Sequence, residues 1–241
     1  MKQALVTGSS RGIGRAIAVA LAREGVAVTV HCTANTQKAQ QVCDEIRAFG
    51  GQAQWVQAEL SDPEQVERLA EVAAKADVLV LNASVQIKKQ WQQITREDCQ
   101  LQLQTNFVAS LRLIQSAVPH MQAQNWGRII TVGSVQEKKP HPQMLVYSAS
   151  KAAQTNMALS LAGQLAPYGI TVNNIAPGVI YTDRNREALS DMAYAKVVTD
   201  SIPMGCYGTP EDCAGAVQML CSEAGRYITG QSIYIDGGKS L

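Results

Sequence analysis

The stretch TGSSRGIG, residues 7–14, determines how the rest of the chain is interpreted. It follows the short apolar run QALV and leads directly into RAIAVALARE, which has the pattern of an amphipathic helix. A strand, a tight glycine-rich turn and a helix in this order point backbone N–H groups and the helix N-terminus at one place, where dinucleotide folds bind pyrophosphate. The sequence therefore predicts a dinucleotide site. Its predicted contacts in this turn are Gly8, Ser10, Arg11, Gly12, Ile13 and Gly14.

The bulk composition excludes several classes of protein. The 241 residues are 46% hydrophobic and 17% charged, and 21 Lys and Arg residues nearly balance 20 Asp and Glu residues. No global field attracts nucleic acid or an acidic membrane surface, and no apolar run approaches the length that a bilayer requires. The N-terminus lacks the pattern of a signal peptide. The six cysteines show no C-x-x-C pair and no metal-ligand spacing, which predicts buried free thiols and no metal site. We expect a cytoplasmic globular protein.

Short apolar runs alternate with longer amphipathic stretches along the whole chain. Strand runs without polar alternation, separated by helices, are typical of a parallel sheet that is covered on both faces. The sequence thus predicts one α/β domain over residues 1–241: a Rossmann fold with a doubly wound, seven-stranded parallel sheet and helices on both faces. Helix starts are indicated at Asp62, Thr95 and Thr209. The predicted strand runs cover 3–8, 26–32, 53–60, 77–83, 127–134, 169–177 and 231–237.

The ends of the early strands bear on the choice of cofactor. An acidic residue after the second strand usually binds the ribose hydroxyls of NAD, but this chain has HCTANT at 31–36, without a carboxylate. Arg11 lies within the glycine turn, and a guanidinium pairs well with a 2′-phosphate. We therefore expect NADP(H) to be preferred, with NAD(H) also possible. Glu59 and Leu60 after the third strand are expected to flank the adenine, and Asn82 ends the fourth strand.

A tyrosine and a lysine one helical turn apart indicate proton chemistry. The unperturbed pKa of tyrosine is near 10, so Tyr147 is a weak base at neutral pH. An ammonium group at Lys151 favours the phenolate and lowers that pKa, so that the tyrosine exchanges a proton with a substrate oxygen. Ser134, at the end of the fifth strand, is placed to hydrogen-bond the same oxygen. These residues are the predicted catalytic group.

With these residues, the chain resembles the short-chain dehydrogenase/reductase family over nearly its full length. The matching pieces are TGSSRGIG, the NA of LNAS, the asparagine of LQTNFVAS, Ser134, the Y-x-x-x-K of YSASK, the PG of NNIAPGVIYT, and ITGQSIYIDGG. One departure is Ser84, which stands where the family's NAG motif has glycine.

The resemblance implies roles at matched positions. Tyr147 would be the acid/base, Lys151 its partner and a holder of the nicotinamide ribose, Ser134 the residue that orients the substrate oxygen, and Asn106 the holder of a relay water. The positions expected against the nicotinamide are Pro177, Gly178, Ile180 and Thr182.

Polar and basic loops around the site suggest the substrate. Lys88, Lys89 and Arg184 are candidates for binding a carboxylate, Gln136 for binding a hydroxyl, and His141 for a place in the lid. Apolar and aromatic side chains, which a steroid pocket needs, are not prominent in these loops. The loops also resemble gluconate 5-dehydrogenase-like members of the family. We therefore expect a small polar substrate such as a keto sugar or keto sugar acid.

Two other functions and an assembly state are also considered. The chain strongly resembles 3-oxoacyl-[acyl-carrier-protein] reductases, but it has Asn125-Trp126 and Pro167-Tyr168 where that branch tends to place basic residues. A non-catalytic NADP(H)-binding regulator would usually have lost the tyrosine or the lysine. Apolar residues beyond one stripe on helices 111–124 and 146–166, together with the resemblance, favour a homodimer or homotetramer.

Overall fold

A computed structural model describes residues 1–241, and all of its strands lie in one parallel sheet. The seven strands have the order β3-β2-β1-β4-β5-β6-β7. The chain therefore builds outward from β1 in one direction and, after crossing back to β4, in the other. The strands are β1 Gln3–Val6, β2 Ala27–Cys32, β3 Ala53–Gln57, β4 Val78–Leu81, β5 Gly127–Val132, β6 Ile170–Pro177 and β7 Ser232–Ile235.

Helices cover both faces of the sheet, as the apolar runs predict. The helices are α1 Gly12–Arg23, α2 Thr36–Ala48, α3 Pro63–Ala73, α4 Arg96–Leu103, α5 Ala109–Gln124, α6 Leu145–Leu165, α7 Arg186–Ser190, α8 Met192–Asp200 and α9 Pro210–Cys221. Successive residues of β4 point to opposite faces: Val78 and Val80 join a core cluster with α1, α2 and α9, whereas Leu79 and Leu81 join one with α3, α5 and α6. The predicted doubly wound architecture is confirmed.

The predicted helix starts are also confirmed. The Asp62 carboxylate accepts hydrogen bonds from the N–H groups of Glu64 and Gln65 at the start of α3. Thr95 and Asp98 form a reciprocal capping box at the start of α4. At α9 the Asp212 carboxylate accepts from the backbone N–H of Thr209. Each contact satisfies N–H groups that lack a partner within the helix.

The strands end earlier than the apolar runs suggested. β1 ends at Val6, β4 at Leu81 and β5 at Val132, whereas the predicted runs extended to positions 8, 83 and 134. The two additional residues of each run form the turn in which the chain leaves the sheet. This places Gly8, Asn82 and Ser134 just beyond three neighbouring strands, at the carboxyl edge where open α/β sheets bind ligands.

The cysteines follow the prediction only in part. All six are free thiols, and Cys32, Cys43, Cys213 and Cys221 are buried, but Cys99 is half-buried and Cys206 is exposed. Cys206 lies in the irregular segment between α8 and α9. None of the helices combines the length and the apolar character needed to span a bilayer.

Candidate active site

The glycine-rich turn has the backbone that its sequence predicts. Gly8 and Gly12 have φ angles of +63° and +55°, a region that side chains with a Cβ rarely adopt. Gly14 lies where an added Cβ would come within 2.5 Å of both the Asn82 Nδ2 and the Gly8 carbonyl oxygen. The Asn82 side chain in turn donates to the carbonyls of Thr7 and Gly8. The turn is thus fixed against the end of β4.

A buried histidine, which the sequence analysis did not identify as a site residue, holds this turn from the other side. His31 of β2 is fully buried; its Nδ1 accepts a hydrogen bond from the Gly8 N–H at 2.9 Å, and its Nε2 contacts the Ala58 carbonyl oxygen at 3.0 Å. A neutral ring with its proton on Nε2 satisfies both contacts. Burial lowers the pKa of His31 to about 4, against the weaker opposing effects of Ala58 and Glu59. A neutral His31 therefore ties the glycine turn to the segment after β3.

An open cavity of about 810 Å³ lies at the carboxyl ends of the strands and contains most of the predicted site residues. From the predicted cofactor set it is lined by Gly8, Ser10, Arg11, Gly12, Ile13, Gly14, Asn82, Pro177, Gly178, Ile180 and Thr182. From the predicted catalytic and substrate sets it is lined by Ser134, Tyr147, Lys151, Lys88, Gln136, His141 and Arg184. Residues more than 170 positions apart in sequence are thus brought into one continuous space, as the family pattern predicts.

Three residues of the predicted cofactor and catalytic sets do not line this cavity. Glu59 folds back, and its carboxylate accepts from the Ser61 N–H at 3.0 Å. Leu60 is buried in the core cluster that includes α3. Asn106 is fully buried in a π-helical turn between α4 and α5. Their expected contacts with adenine and with a relay water stay predictions.

In the structure, the Asn106 side chain forms hydrogen bonds that join two segments of the protein. Its amide donates to the Val85 carbonyl oxygen and to the Ser150 Oγ, both at 2.9 Å, and its Oδ1 accepts from the Val85 N–H at 2.8 Å. Both donor hydrogens of the amide are therefore engaged by protein atoms. Asn106 fixes the segment after β4 to helix α6, which carries the predicted catalytic tyrosine and lysine.

Tyr147, Ser134 and Lys151 converge at the floor of the cavity. All three are buried, and the Ser134 side chain opposes the rise that burial causes in the pKa of Tyr147. The Lys151 ammonium donates to the Val132 carbonyl oxygen at 2.7 Å and to the Gln154 Oε1 at 3.0 Å. Since an ammonium group has three donors, one N–H of Lys151 is free of these contacts.

The expected effect of Lys151 on the pKa of Tyr147 stays a prediction, but a further charge, that of Arg184, also acts on the tyrosine. Burial raises the pKa of Tyr147, and the charge that opposes the rise is Arg184, helped by polar contacts from Ser134 and Ser84. Burial, and then the charge of Arg184, lower the pKa of Lys151 to about 7. In the structure, therefore, the permanent positive charge that favours a Tyr147 phenolate belongs to Arg184.

Gln154 was not identified as a site residue, yet it anchors the lysine. It is fully buried one turn after Lys151, and its Nε2 donates to the Ser110 Oγ at 2.9 Å. Ser110 in turn donates to the Asn106 carbonyl oxygen at 3.1 Å. A continuous hydrogen-bonded chain thus runs from the catalytic lysine into α5.

Cations dominate the charge of the cavity. Asp183 is its sole acidic lining residue, and it already pairs with Lys38 and Arg186. The lining cations without a salt bridge are Arg11, Lys88, Lys139, Lys151, Arg184 and Lys239.

Lys38, Lys139 and Lys239 were not among the predicted site residues. Lys89, a predicted carboxylate ligand, lies outside the cavity and pairs with Asp98, so that expectation was wrong.

Comparisons with known proteins agree with this geometry. A family model described as enoyl-(acyl carrier protein) reductase matches residues 8–240. The chain is 38% identical to the 3-oxoacyl-[acyl-carrier-protein] reductase FabG of Staphylococcus aureus, over 98% of this chain and 97% of that protein. It is 36% identical to the L-rhamnose 1-dehydrogenase (NAD(P)(+)) of Azotobacter vinelandii, over 98% and 96% of the two chains.

A solved structure similar to this chain contains the cofactor NADP. The protein from Beutenbergia cavernae described as an NAD(P) dependent gluconate 5-dehydrogenase, with bound NADP, superposes with a TM-score of 0.93 at 35% identity, over 99% of this chain and 96% of that one. The match extends along almost the whole of both chains. The chain therefore belongs to the short-chain dehydrogenase/reductase family of oxidoreductases.

Proposed function

We propose that this protein interconverts a ketone and a secondary alcohol with NADP(H), acting on a small, polar, negatively charged substrate such as a keto sugar acid. The observation that carries the substrate class is the excess of unpaired cations around Tyr147 and Ser134. Unpaired cations in a concave site attract an anion and raise its local concentration. The neighbours described as acting on gluconate and L-rhamnose support a carbohydrate-like substrate.

The residues at the opposite end of the cavity fit a dinucleotide. Gly8 and Gly12 leave backbone without a Cβ at the turn, and α1 begins at Gly12, so that its free N–H groups face the cavity. Pro177, Gly178 and Thr182 line the same cavity. When NADP(H) is bound there, it supplies hydride transfer.

We assign the preference for a cofactor that carries a 2′-phosphate to two cations. Arg11 forms no salt bridge and Lys38 pairs with Asp183 at 3.2 Å, and both line the cavity beside residues 33–35 after β2. No carboxylate among residues 33–35 competes for a phosphate there. This arrangement supports NADP(H) over NAD(H).

The protein residues divide the proton chemistry among them. In reduction, the Tyr147 hydroxyl donates its proton to the substrate oxygen, and the Ser134 hydroxyl donates a hydrogen bond to the same atom. The phenolate left on Tyr147 is favoured by the neighbouring positive charge of Arg184. Lys151 is held in place by Val132 and Gln154, with one N–H left for a further contact.

A second candidate, 3-oxoacyl-[acyl-carrier-protein] reduction, is favoured by the names of the relatives. An acidic carrier protein requires exposed basic residues near the cavity. Arg128, the only basic residue at the start of β5, is buried, donates to the carbonyls of Gly127 and Gly169, and lies 4.4 Å from the centre of the Trp126 ring. Its guanidinium is thus used inside the fold and is not exposed to a carrier protein.

We also propose that the protein is a cytoplasmic homodimer or homotetramer. Exposed apolar side chains occur on the outward surfaces of α4, the π turn and α6, at Leu101, Leu103, Val108, Leu145 and Leu159. A second subunit would cover such a surface. Sedimentation of a monomer alone at micromolar concentration would contradict this proposal.

Oxidation of NADPH against three classes of substrate tests the function. The panel contains keto sugar acids, neutral small ketones of similar size and an acetoacetyl thioester. Turnover that favours the keto acids supports the proposal, and turnover of the thioester alone would assign the protein to the second candidate. Binding of NADPH without turnover of any member of the panel would support the regulator considered above.

A further inference from the structure

Ser84 is the one departure from the family's NAG motif, and its side chain has a specific partner. The Arg184 Nη1 and Nη2 both lie 3.2 Å from the Ser84 Oγ, and Nη2 also donates to the Ser84 carbonyl oxygen at 3.0 Å. Glycine would retain only the carbonyl contact. Serine therefore gives Arg184 a second anchor, on a residue 100 positions away in sequence.

The backbone at position 84 does not demand a glycine. Asn125 is the sole non-glycine residue with a positive φ, so Ser84 has a backbone conformation that any L-residue adopts. The serine adds no backbone strain here, and what it adds is the hydroxyl. Both Ser84 and Arg184 line the cavity with Tyr147, and both oppose the rise that burial causes in the pKa of that tyrosine.

Arg184 is thereby held beside the reacting group while its charge stays unpaired. No carboxylate of the protein forms a salt bridge with it, whereas Arg186, two residues further on, pairs with Asp183 at 2.8 Å. Three N–H···O contacts go to Ser84. A guanidinium has five N–H donors, so further donors are left for a ligand. A planar guanidinium with free donors is suited to a carboxylate.

We propose that Ser84 and Arg184 form a carboxylate clamp beside Tyr147, which selects substrates whose acid group lies one or two carbons from the reacting carbonyl. This inference rests on the proposed function and makes its substrate class narrower: 2-oxo and 3-oxo acids rather than acids with a distant ketone. The reason is distance. The reacting oxygen must lie beside Tyr147 and Ser134, and Arg184 lines the same cavity close enough for its charge to oppose the rise in the pKa of Tyr147.

Two other unpaired cations, Lys139 and Lys239, offer an alternative location for the substrate carboxylate. Lys139 donates to the Lys239 carbonyl oxygen at 2.9 Å, and Lys239 donates to the Ser201 Oγ at 2.6 Å, so these two ammonium groups lie together in the C-terminal wall of the cavity. A carboxylate held there would belong to a longer substrate. The separation of carbonyl and carboxylate in the preferred substrate therefore distinguishes the two locations.

The first experiment compares oxo acids with their own methyl esters. The probes are 2-oxobutanoate, acetoacetate, levulinate and 5-oxohexanoate, each paired with its ester, in NADPH oxidation. The clamp predicts that the acid-to-ester ratio of kcat/KM is about 10- to 100-fold for 2-oxo or 3-oxo acids, as expected for one charged hydrogen-bonded pair, and falls with longer spacers. A ratio that peaks at the longest acid would overturn the clamp while leaving the anionic substrate intact.

Variants of Ser84 and Arg184 test whether the clamp causes the acid-to-ester ratio of kcat/KM. Ser84→Gly restores the family residue, Ser84→Ala removes only the hydroxyl, and Arg184→Gln removes the charge. We expect each to reduce the acid-to-ester ratio, Arg184→Gln the most, with smaller changes for the esters. Arg186→Gln is the matched control because it removes a cation of the same segment outside the cavity, and the ratio should not change.

A binding readout separates selection from chemistry. Calorimetric titration of 2-hydroxybutanoate into the NADPH-loaded protein gives a complex that does not turn over, and Ser84→Gly should weaken it. Equal affinity in the wild type and in both Ser84 variants would refute the role of Ser84. If neither acids nor esters are reduced, the proposed function itself has failed; if both are reduced equally by all variants, the clamp alone has failed.

Discussion

The two ends of the cavity are built in different ways. The cofactor end is a glycine turn whose atoms are fixed by hydrogen bonds to Asn82 on one side and to the buried His31 on the other. The substrate end consists of exposed loops whose charged side chains meet across long stretches of sequence, as Arg184 meets Ser84 and Lys139 meets Lys239. A rigid end suits a ligand shared by a whole family, whereas an adjustable end suits a substrate that differs between its members.

The largest expected effect is at the junction of the two ends. Replacing Tyr147 by Phe removes the proton donor but retains the ring, so turnover should fall by about 10²- to 10⁴-fold. Affinity for NADPH, measured by fluorescence titration, should change little. Tyr168→Phe, at an exposed tyrosine outside the cavity, is the control. Nearly normal turnover in Tyr147→Phe would remove the tyrosine from its assigned role.

The pH dependence of the free energy of unfolding tests whether His31 is held neutral at the cofactor end. Its pKa is about 4 in the folded protein and near 6.5 as a free side chain, so the unfolded state binds more protons between these values. The free energy of unfolding should therefore decrease as the pH falls from about 6.5 to about 4, by up to about 3 kcal/mol.

Urea denaturation at several pH values measures this effect. In His31→Gln the contribution of this residue to the pH dependence should disappear, while the exposed His141→Gln should keep it. An unchanged slope in His31→Gln would show that the histidine is not held neutral in the fold.

Gly14 tests the rigidity of the cofactor end directly. An alanine Cβ would lie 2.5 Å from the Asn82 Nδ2 and the Gly8 carbonyl oxygen, so the turn must shift. We expect Gly14→Ala to lower the free energy of unfolding by about 1–3 kcal/mol and to weaken NADPH binding. Gly163→Ala is the control, because nothing lies within 4 Å of its added Cβ on helix α6. Equal stability of the two variants would contradict the close packing of the turn.

The smallest effect concerns the choice between the two dinucleotides. Lys38→Gln removes an exposed cation near the expected 2′-phosphate, so the KM for NADPH should rise by about 3- to 10-fold, in the range of one screened charged contact. The KM for NADH should stay unchanged. Lys196→Gln, which alters an exposed lysine on α8, is the control. An equal rise for both cofactors would place Lys38 outside the phosphate site.

The sequence predicted the elements that depend on local rules. Asp62, Thr95 and Thr209 mark helix starts because capping is a contact between neighbours in the chain. The glycine turn was recognisable because Gly8 and Gly12 adopt backbone angles that other residues avoid. His31 and Gln154 were missed because a single histidine in a strand or a glutamine in a helix carries no local signal of its partners.

Lys88 and Lys89 also show that sequence alone does not reveal the partners of a side chain. They are adjacent lysines in one basic loop, and both were expected to bind a carboxylate, but only Lys88 lines the cavity while Lys89 pairs with Asp98. Similarly, the spacing of Tyr147 and Lys151 predicted one charge beside the tyrosine, but it could not reveal Arg184, which is 37 positions further along and also favours the phenolate. One-turn spacing brings side chains near each other, but it does not determine where a flexible ammonium group is bound.

The sequence by itself determined the parallel sheet, the dinucleotide turn and the identity of the tyrosine, lysine and serine, because these follow from periodicity and from short, ordered motifs. Only the tertiary structure decided which cations remain unpaired, how Ser84 serves in place of a glycine, and that a buried histidine supports the turn. Such contacts join segments that are far apart in the chain, and their energies depend on burial and distance, which appear only once the fold has brought the segments together.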